Sequence, residues 1–414
     1  MKNSRRARIL GRREFIKSGA LASLAVGLLP IAGASPTPLS PQVRRYAALG
    51  STAMKISDIS FGASRLRAGQ EGLVQHAFDA GINYFDTAES YMGGESETTI
   101  GNALAGRRDK VFLTSKKLVD AGERKESMMQ ALEGSLGRLK TDHVDVYFNH
   151  AVNNLDRLQN AEWGEFAAQA KKQGKIRFAG MSGHAGHLIE CLDYALDSHL
   201  VDVILCAYNF GQAPHFYSRF FTGFDFVARQ PDLPRVLEKA KHKGVGVVVM
   251  KTLMGARLND MRPYEHGGAT FAQAAFRWVL SNPNVDALIV SMTSRELIDE
   301  YLGASGARAT AREDLPLLER YARANGTSYC RHVCNACEGA CPLGVPIADV
   351  MRTRMYALDY GDMRMARSEY AMLASDAAAC LSCSAKPCAG ACPYGLEIDA
   401  LTAPTHAMLA RGSA

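Results

Sequence analysis

The sequence predicts an α/β protein, a (β/α)8 barrel followed by a smaller helical domain. Three observations lead there. Eight short apolar runs recur over roughly 260 residues, as a barrel of this length requires. Amphipathic stretches of helical length separate those runs. From about Ala311 onward no further buried-strand run occurs, and the chain turns to helical pattern and clustered cysteines. A doubly wound open sheet is the competing architecture; the barrel matches the count better, and no G-x-G-x-x-G follows the first strand.

The 414-residue chain opens with a leader, residues 1–34. It has a basic start, an apolar run from about Gly19 to Ile31, and a small-residue exit at Ala32-Gly33-Ala34. The run is short for a bilayer span and suits a signal peptide, leaving no stable span after cleavage; an uncleaved anchor is the alternative. The net charge is +6, and all of that surplus lies in the leader, so the remaining chain is neutral. Nucleic-acid binding therefore lacks an electrostatic motive. The segment "RREFIK", Arg12 to Lys17, resembles a twin-arginine translocation signal. The resemblance implies export by the twin-arginine translocase, into the periplasm of a bacterium, of a protein already folded around a cofactor. Residues 35–42, "SPTPLSPQ", read as a linker, 43–310 as the barrel and 311–414 as the helical domain.

The apolar runs are "ISDISFG", "INYFD", "KVFLTS", "VDVYFN", "IRFAGMS", "VDVILCA", "GVGVVVM" and "VDALIVSM". They are short and rich in Val, Ile and Phe, which suits strands buried on both faces. Between them, Lys125 to Leu139 and Glu162 to Gly174 carry helical periodicity, and Gly81, Gly174 and Gly244 stand where helices should stop.

The helical domain carries two cysteine groups. The first is C-x3-C-x2-C-x3-C-P at Cys330, Cys334, Cys337 and Cys341; the second is C-x2-C-x4-C-x3-C-P at Cys380, Cys383, Cys388 and Cys392. Four disulfides, structural zinc and redox-active Cys-x-x-Cys thiols all remain open on residue counting alone. Two groups each closed by Cys-Pro resemble the bacterial two-cluster ferredoxin run, which implies two [4Fe–4S] clusters. In that family the fourth cysteine often serves the other cluster. The resemblance thus implies Cys392 joining Cys337 with Cys330 or Cys334, and Cys341 joining Cys380, Cys383 and Cys388. The first gap is one residue longer than the family's, and the second group's middle gap two longer. The 38 residues between Cys341 and Cys380 read as helices, closer to an α-helical ferredoxin than to the compact β-rich one. Cys191 and Cys206 stand apart and read as buried unreactive thiols.

At the C-terminal strand ends, where barrel enzymes place their chemistry, stand Asp86, Tyr91, Lys116 and His150. Each alone has a structural reading, as a surface carboxylate, a half-buried phenol, a solvated lysine or a capping histidine. Together, with "GINYFDTAESY", "GESETTIGNAL", "LGRLKTDHVDVYFNH" and "KIRFAGMSGH", they resemble the aldo-keto reductase family over roughly Val43 to Leu302. The resemblance implies a TIM-type barrel and reduction of a small carbonyl compound, or oxidation of an alcohol. Tyr91 would be the acid, with an ordinary pKa near ~10 lowered by Lys116, which Asp86 holds in place. His150 would orient the carbonyl oxygen.

The family's nicotinamide grip is less complete here. A Ser-Asn pair becomes Ser182-Gly183, and Leu205 stands four residues before Asn209 where a Gln is expected. After the last strand, Ser291, Thr293, Ser294 and Arg295 are offered to a 2′-phosphate, without lysine. Ser182, Asn209, Ser291 and Arg295 are the NADP(H)-binding candidates, and the losses predict weakened NADP(H) binding. Lys251, after the seventh strand, reads as a solvated rim charge before a substrate-anion contact. The combined reading is an exported oxidoreductase connected through its clusters to an electron-transfer partner. A non-catalytic iron–sulfur protein with a scaffold barrel is the alternative.

Overall fold

A computed structural model describes residues 41–410 apart from 185, 213–231, 254–261, 263–264, 266–269, 326–329, 331–333 and 359–362. The leader and nearly all of the linker lie outside the described residues. The first run splits in two. Lys55–Ser57 (β2) pairs antiparallel with Tyr46–Ala48 (β1), while Ile59–Gly62 (β3) enters the barrel. Asp58 makes the break; its carboxylate accepts from Ser305 Oγ and Gly306 N, both at 2.7 Å.

The other seven runs each form one parallel strand: β4 (Tyr84–Asp86), β5 (Phe112–Lys117), β6 (Val144–Asn149), β7 (Ile176–Gly183), β8 (Val203–Ala207), β9 (Gly246–Met250) and β10 (Ala287–Ser291). They close in the order β10-β3-β4-β5-β6-β7-β8-β9. Inside, Tyr84, Val146, Phe148, Val203, Leu205 and Val248 pack against Leu49, Met54 and Ile56 of the hairpin, which plugs the barrel floor. Chemistry is thereby confined to the opposite mouth.

Around the barrel stand α1 (Glu71–Asp79), α2 (Glu95–Ala103), α3 (Lys125–Leu139), the short α4 (Leu155–Leu158), α5 (Ala161–Lys172), α6 (Leu188–Asp197), α7 (Leu233–His242), α8 (Phe271–Leu280) and α9 (Arg295–Leu302). Side chains of Asn160, Thr270 and Ser294 cap three of their N-termini by accepting backbone N–H groups. Gly81, Gly174 and Gly244 end helices with φ of 95°, 70° and 70°, the left-handed stop that glycine takes without strain. Helix α10 (Asp314–Asn325) packs on α8, where Arg277 grips Asp314 with two hydrogen bonds of 2.8 and 2.6 Å and Tyr321 stacks 4.4 Å from Phe271.

Beyond it, α11 (Ile347–Leu358), α12 (Met363–Ala371) and α13 (Ile398–Leu409) build a separate small core with Cys337 and Cys388. That core also takes in Ala88 and Tyr91 from the barrel mouth. Asn153 Nδ2 donates to Asp349 at 2.6 Å across the same seam. The helical unit therefore sits on the chemical end of the barrel, with the candidate acid inside the joint.

Candidate active site

Strand ends deliver the four predicted polar residues to one place. Asp86 ends β4, Lys116 is the penultimate residue of β5, and His150 directly follows β6. Tyr91 starts a tight turn in which Met92, Gly93 and Gly94 all have positive φ. Gly93 has φ of 70°, which favours glycine, and the flexible end of Arg364 from α12 lies against it. His150 is held by Arg157, whose guanidinium donates to the carbonyls of His150 (2.7 Å), Ala151 (2.8 Å) and Val119 (2.6 Å).

Lys116 Nζ donates to Asp86 Oδ2 at 2.7 Å, to the Thr87 carbonyl at 2.6 Å and to Tyr91 Oη at 3.4 Å. The Asp86 carboxylate also accepts from Thr114 Oγ1 at 2.9 Å. Burial disfavours both charges, pushing the Asp86 pKa up and the Lys116 pKa down, while their attraction opposes each shift. Burial, followed by the charges of Lys116, Arg157 and Lys251, drives the His150 pKa well below its ordinary value, so the ring is neutral. Its Nδ1 is buried with no hydrogen-bond partner among the described residues. The His150 ring meets the Tyr91 ring edge-on at 5.6 Å.

These side chains line a cavity of about 260 Å³ whose walls include Leu205, Met250 and Ile289. Tyr356 of α11 and Met365 of α12 line it too, so the helical unit completes the site. Neither residue carries a motif that sequence reading can single out. His184 ends the "KIRFAGMSGH" segment and carries no separate sequence signal; the Tyr356 hydroxyl pairs with its imidazole, closest to Nε2. The solvated-rim reading of Lys251 does not hold. Its ammonium lies 4.8 Å over the Tyr356 ring in the cavity wall, and burial lowers its pKa to about 8. The docked helix, invisible in the barrel's own sequence, covers part of the side chain and leaves Lys251 half-buried.

The four cofactor candidates divide. Ser182 and Ser291 line the cavity. The Ser182 hydroxyl accepts from Ala151 N at 2.9 Å, and Ser291 pairs with Ser64 at 2.8 Å. Asn209 accepts from Gly211 N at 3.0 Å and donates to the Lys251 carbonyl at 3.4 Å, and Arg295 is exposed in the first turn of α9. Leu205 presents hydrocarbon to the cavity where a carboxamide grip would need an amide.

The eight clustered cysteines sort into two small cavities. Cys330, Cys334, Cys337 and Cys392 line one; Cys341, Cys380, Cys383 and Cys388 line the other. Each set exchanges one residue between the sequence groups. Cys337, Cys341, Cys380, Cys383, Cys388 and Cys392 are thiols, not disulfides. Among the described residues no three His, Cys, Asp or Glu side chains converge as for a single metal ion. Thiolates on an iron–sulfur cube bind separate irons and need no such common point. The first set lies beside the barrel: Arg352 donates to the Cys334 carbonyl at 2.6 Å, and a Cβ on Gly186 would lie 2.9 Å from Asn335. Cys191 and Cys206 are buried in α6 and β8, and burial raises both thiols to about 12.

Comparison with known proteins agrees with this geometry. The aldo/keto reductase family profile matches residues 59–320. The uncharacterized oxidoreductase YqkF of Bacillus subtilis (strain 168) is 25% identical over 304 residues, 66% of this chain and 95% of that protein. L-galactose dehydrogenase of Arabidopsis thaliana is 27% identical over 298 residues, 62% of this chain and 86% of the relative. In fold, the aldo-keto reductase AKR11C1 from Bacillus halodurans (holo form) superposes with a TM-score of 0.53 at 21% identity, covering 67% of this chain and 96% of that one. A closed parallel barrel, the four polar residues gathered at its mouth and a matching profile over most of the barrel lead to one conclusion: the chain belongs to the aldo/keto reductase family and is an oxidoreductase.

Proposed function

We propose that this oxidoreductase is exported and interconverts a small carbonyl compound and its alcohol with electrons carried by two [4Fe–4S] clusters. The observation that carries the reading is the sorting of eight cysteines into two four-thiol cavities on the unit that roofs the active site. The donor set fits: all-sulfur, half-buried to buried, and four to a cavity. Bound there, a pair of clusters supplies or accepts two electrons, one each, the number separating an alcohol from its carbonyl. The twin-arginine leader supports export of such a chain, since clusters are built in the cytoplasm and need a folded carrier.

Reduction also takes two protons. Tyr91 donates one to the carbonyl oxygen as charge develops there, with Lys116 at 3.4 Å favouring the phenolate left behind, and the other reaches the carbon from solvent. Asp86 fixes that ammonium, and neutral His150 is placed to hydrogen-bond the same oxygen. NADP(H) fits less well. Among the described residues only Ser182 and Ser291 of the four candidates reach the cavity, and Leu205 offers no polar atom. An external one-electron carrier is the expected partner.

The test is Tyr91→Phe, assayed with an artificial one-electron donor and with NADPH. Loss of a general acid is worth about 10²–10⁴-fold, so turnover with the one-electron donor should fall by that order while cysteine-bound iron is retained. Unchanged turnover on every carbonyl substrate would remove Tyr91 from the chemistry.

A further inference from the structure

The cavity holds the same three residue types twice. At Tyr91, Lys116 Nζ lies 4.7 Å from the ring centroid, and the His150 ring meets it at 5.6 Å and 77°. At Tyr356, Lys251 Nζ lies 4.8 Å from the centroid, and the His184 ring meets it at 5.4 Å and 75°. All six side chains line one cavity. The first set comes entirely from the barrel. The second joins the ends of β7 and β9 to α11, so it exists only with the helical unit docked.

A plain structural tie is the simpler account of Tyr356, since a buried hydroxyl needs a partner and His184 supplies one. Two features exceed it. Tyr356 lines the reaction cavity, where a phenylalanine would seal the seam without a polar atom. Lys251 has a left-handed backbone, φ 59°, and its ammonium lies on that ring. A left-handed, half-buried lysine is a poor choice for mere packing, and such outliers gather at ligand sites.

We propose that Tyr356, His184 and Lys251 form a second oxygen-binding site, which takes a second oxygen function of the same substrate. The substrates are then bifunctional carbonyl compounds, hydroxy-carbonyls or oxo acids, rather than simple aldehydes and ketones. The proposal rests on the reading that Tyr91 and His150 receive the carbonyl oxygen. Tyr356 is placed to donate to, or accept from, the second oxygen, and Lys251 adds positive charge on that side of the cavity.

The experiment is a ligand-observed NMR titration of the full chain, which needs no electron donor. The probes are 2-butanone, 3-hydroxy-2-butanone and 2-oxobutanoate, which share a carbon chain length and differ in the second oxygen. At least one bifunctional probe should bind about three- to tenfold tighter than 2-butanone, the worth of one hydrogen bond. Tyr356→Phe should erase that preference and leave 2-butanone unchanged; Lys251→Met should erase it if the carboxylate probe is the favoured one. Asn153→Ala loosens the same seam outside the cavity and should keep the preference. Equal binding of all three probes by the wild type overturns the proposal. So does a uniform loss in Tyr356→Phe, or loss of the preference in Asn153→Ala. Tyr91→Phe should weaken all three probes together. If it weakens none while Tyr356→Phe stays selective, the carbonyl assignment fails and the second site stands.

Discussion

Lys116→Met tests the buried pair at the centre of the site. The side chains of Lys116 and Asp86 are 1% and 2% exposed and meet at 2.7 Å. Methionine nearly matches the lysine stem, so packing survives and only the ammonium is lost. Removing one partner of a buried ion pair costs about 3–5 kcal/mol, because the other charge stays behind uncompensated. Asp86 keeps one hydrogen bond, from Thr114, which places the expected cost toward the lower end, about 3 kcal/mol. The variant's carboxyl is raised by burial with no ammonium opposing it. A raised folded pKa means the native state holds the proton more tightly, so stability falls as pH rises above the ordinary aspartate value of 3.8. The deficit should therefore be small near that value and full at neutral pH. Urea denaturation of wild type, Lys116→Met, Asp86→Asn and the double variant, at acid and neutral pH, reads all of this. Asp86→Asn alone should destabilise, yet added to Lys116→Met it should restore stability by removing the stranded charge. If the single variant matches wild type at neutral pH, or the two losses simply add, the pair is not the buried unit described.

Cys392→Ser should disturb the same electron paramagnetic resonance signal as Cys334→Ser, and Cys341→Ser the same signal as Cys383→Ser; pairing by sequence group instead would contradict the two cavities. Arg12→Lys combined with Arg13→Lys should hold the protein in the cytoplasm with its leader attached, and continued export would remove the twin-arginine reading. Because His150 is held neutral far below its ordinary pKa of 6.5, the pH–rate profile should lack a histidine limb there; a limb near that value that vanishes in His150→Gln would show the ring ionising during turnover.

The barrel was legible because parallel strands buried on both faces read as unbroken Val, Ile and Phe runs, and "VDVYFN" became β6 without adjustment. "ISDISFG" was not, because one apolar run serves both the floor hairpin and β3, and only Asp58's partners at Ser305 and Gly306 reveal the break. Asp86, Tyr91, Lys116 and His150 were legible through family likeness, as was the exchange of Cys341 and Cys392 between sets. The upper half of the cavity was hidden for a physical reason. Periodicity gives α11 a buried face but does not say what that face meets, and the Tyr356–His184 bond joins residues 172 positions apart. Lys251 was misjudged for the same cause.

Iron and acid-labile sulfide, measured on anaerobically purified protein, test the central claim most directly. The account predicts about eight of each per chain, two cubes of four, bleached by dithionite. Stoichiometric zinc, or four disulfides joining the clustered cysteines, would contradict it.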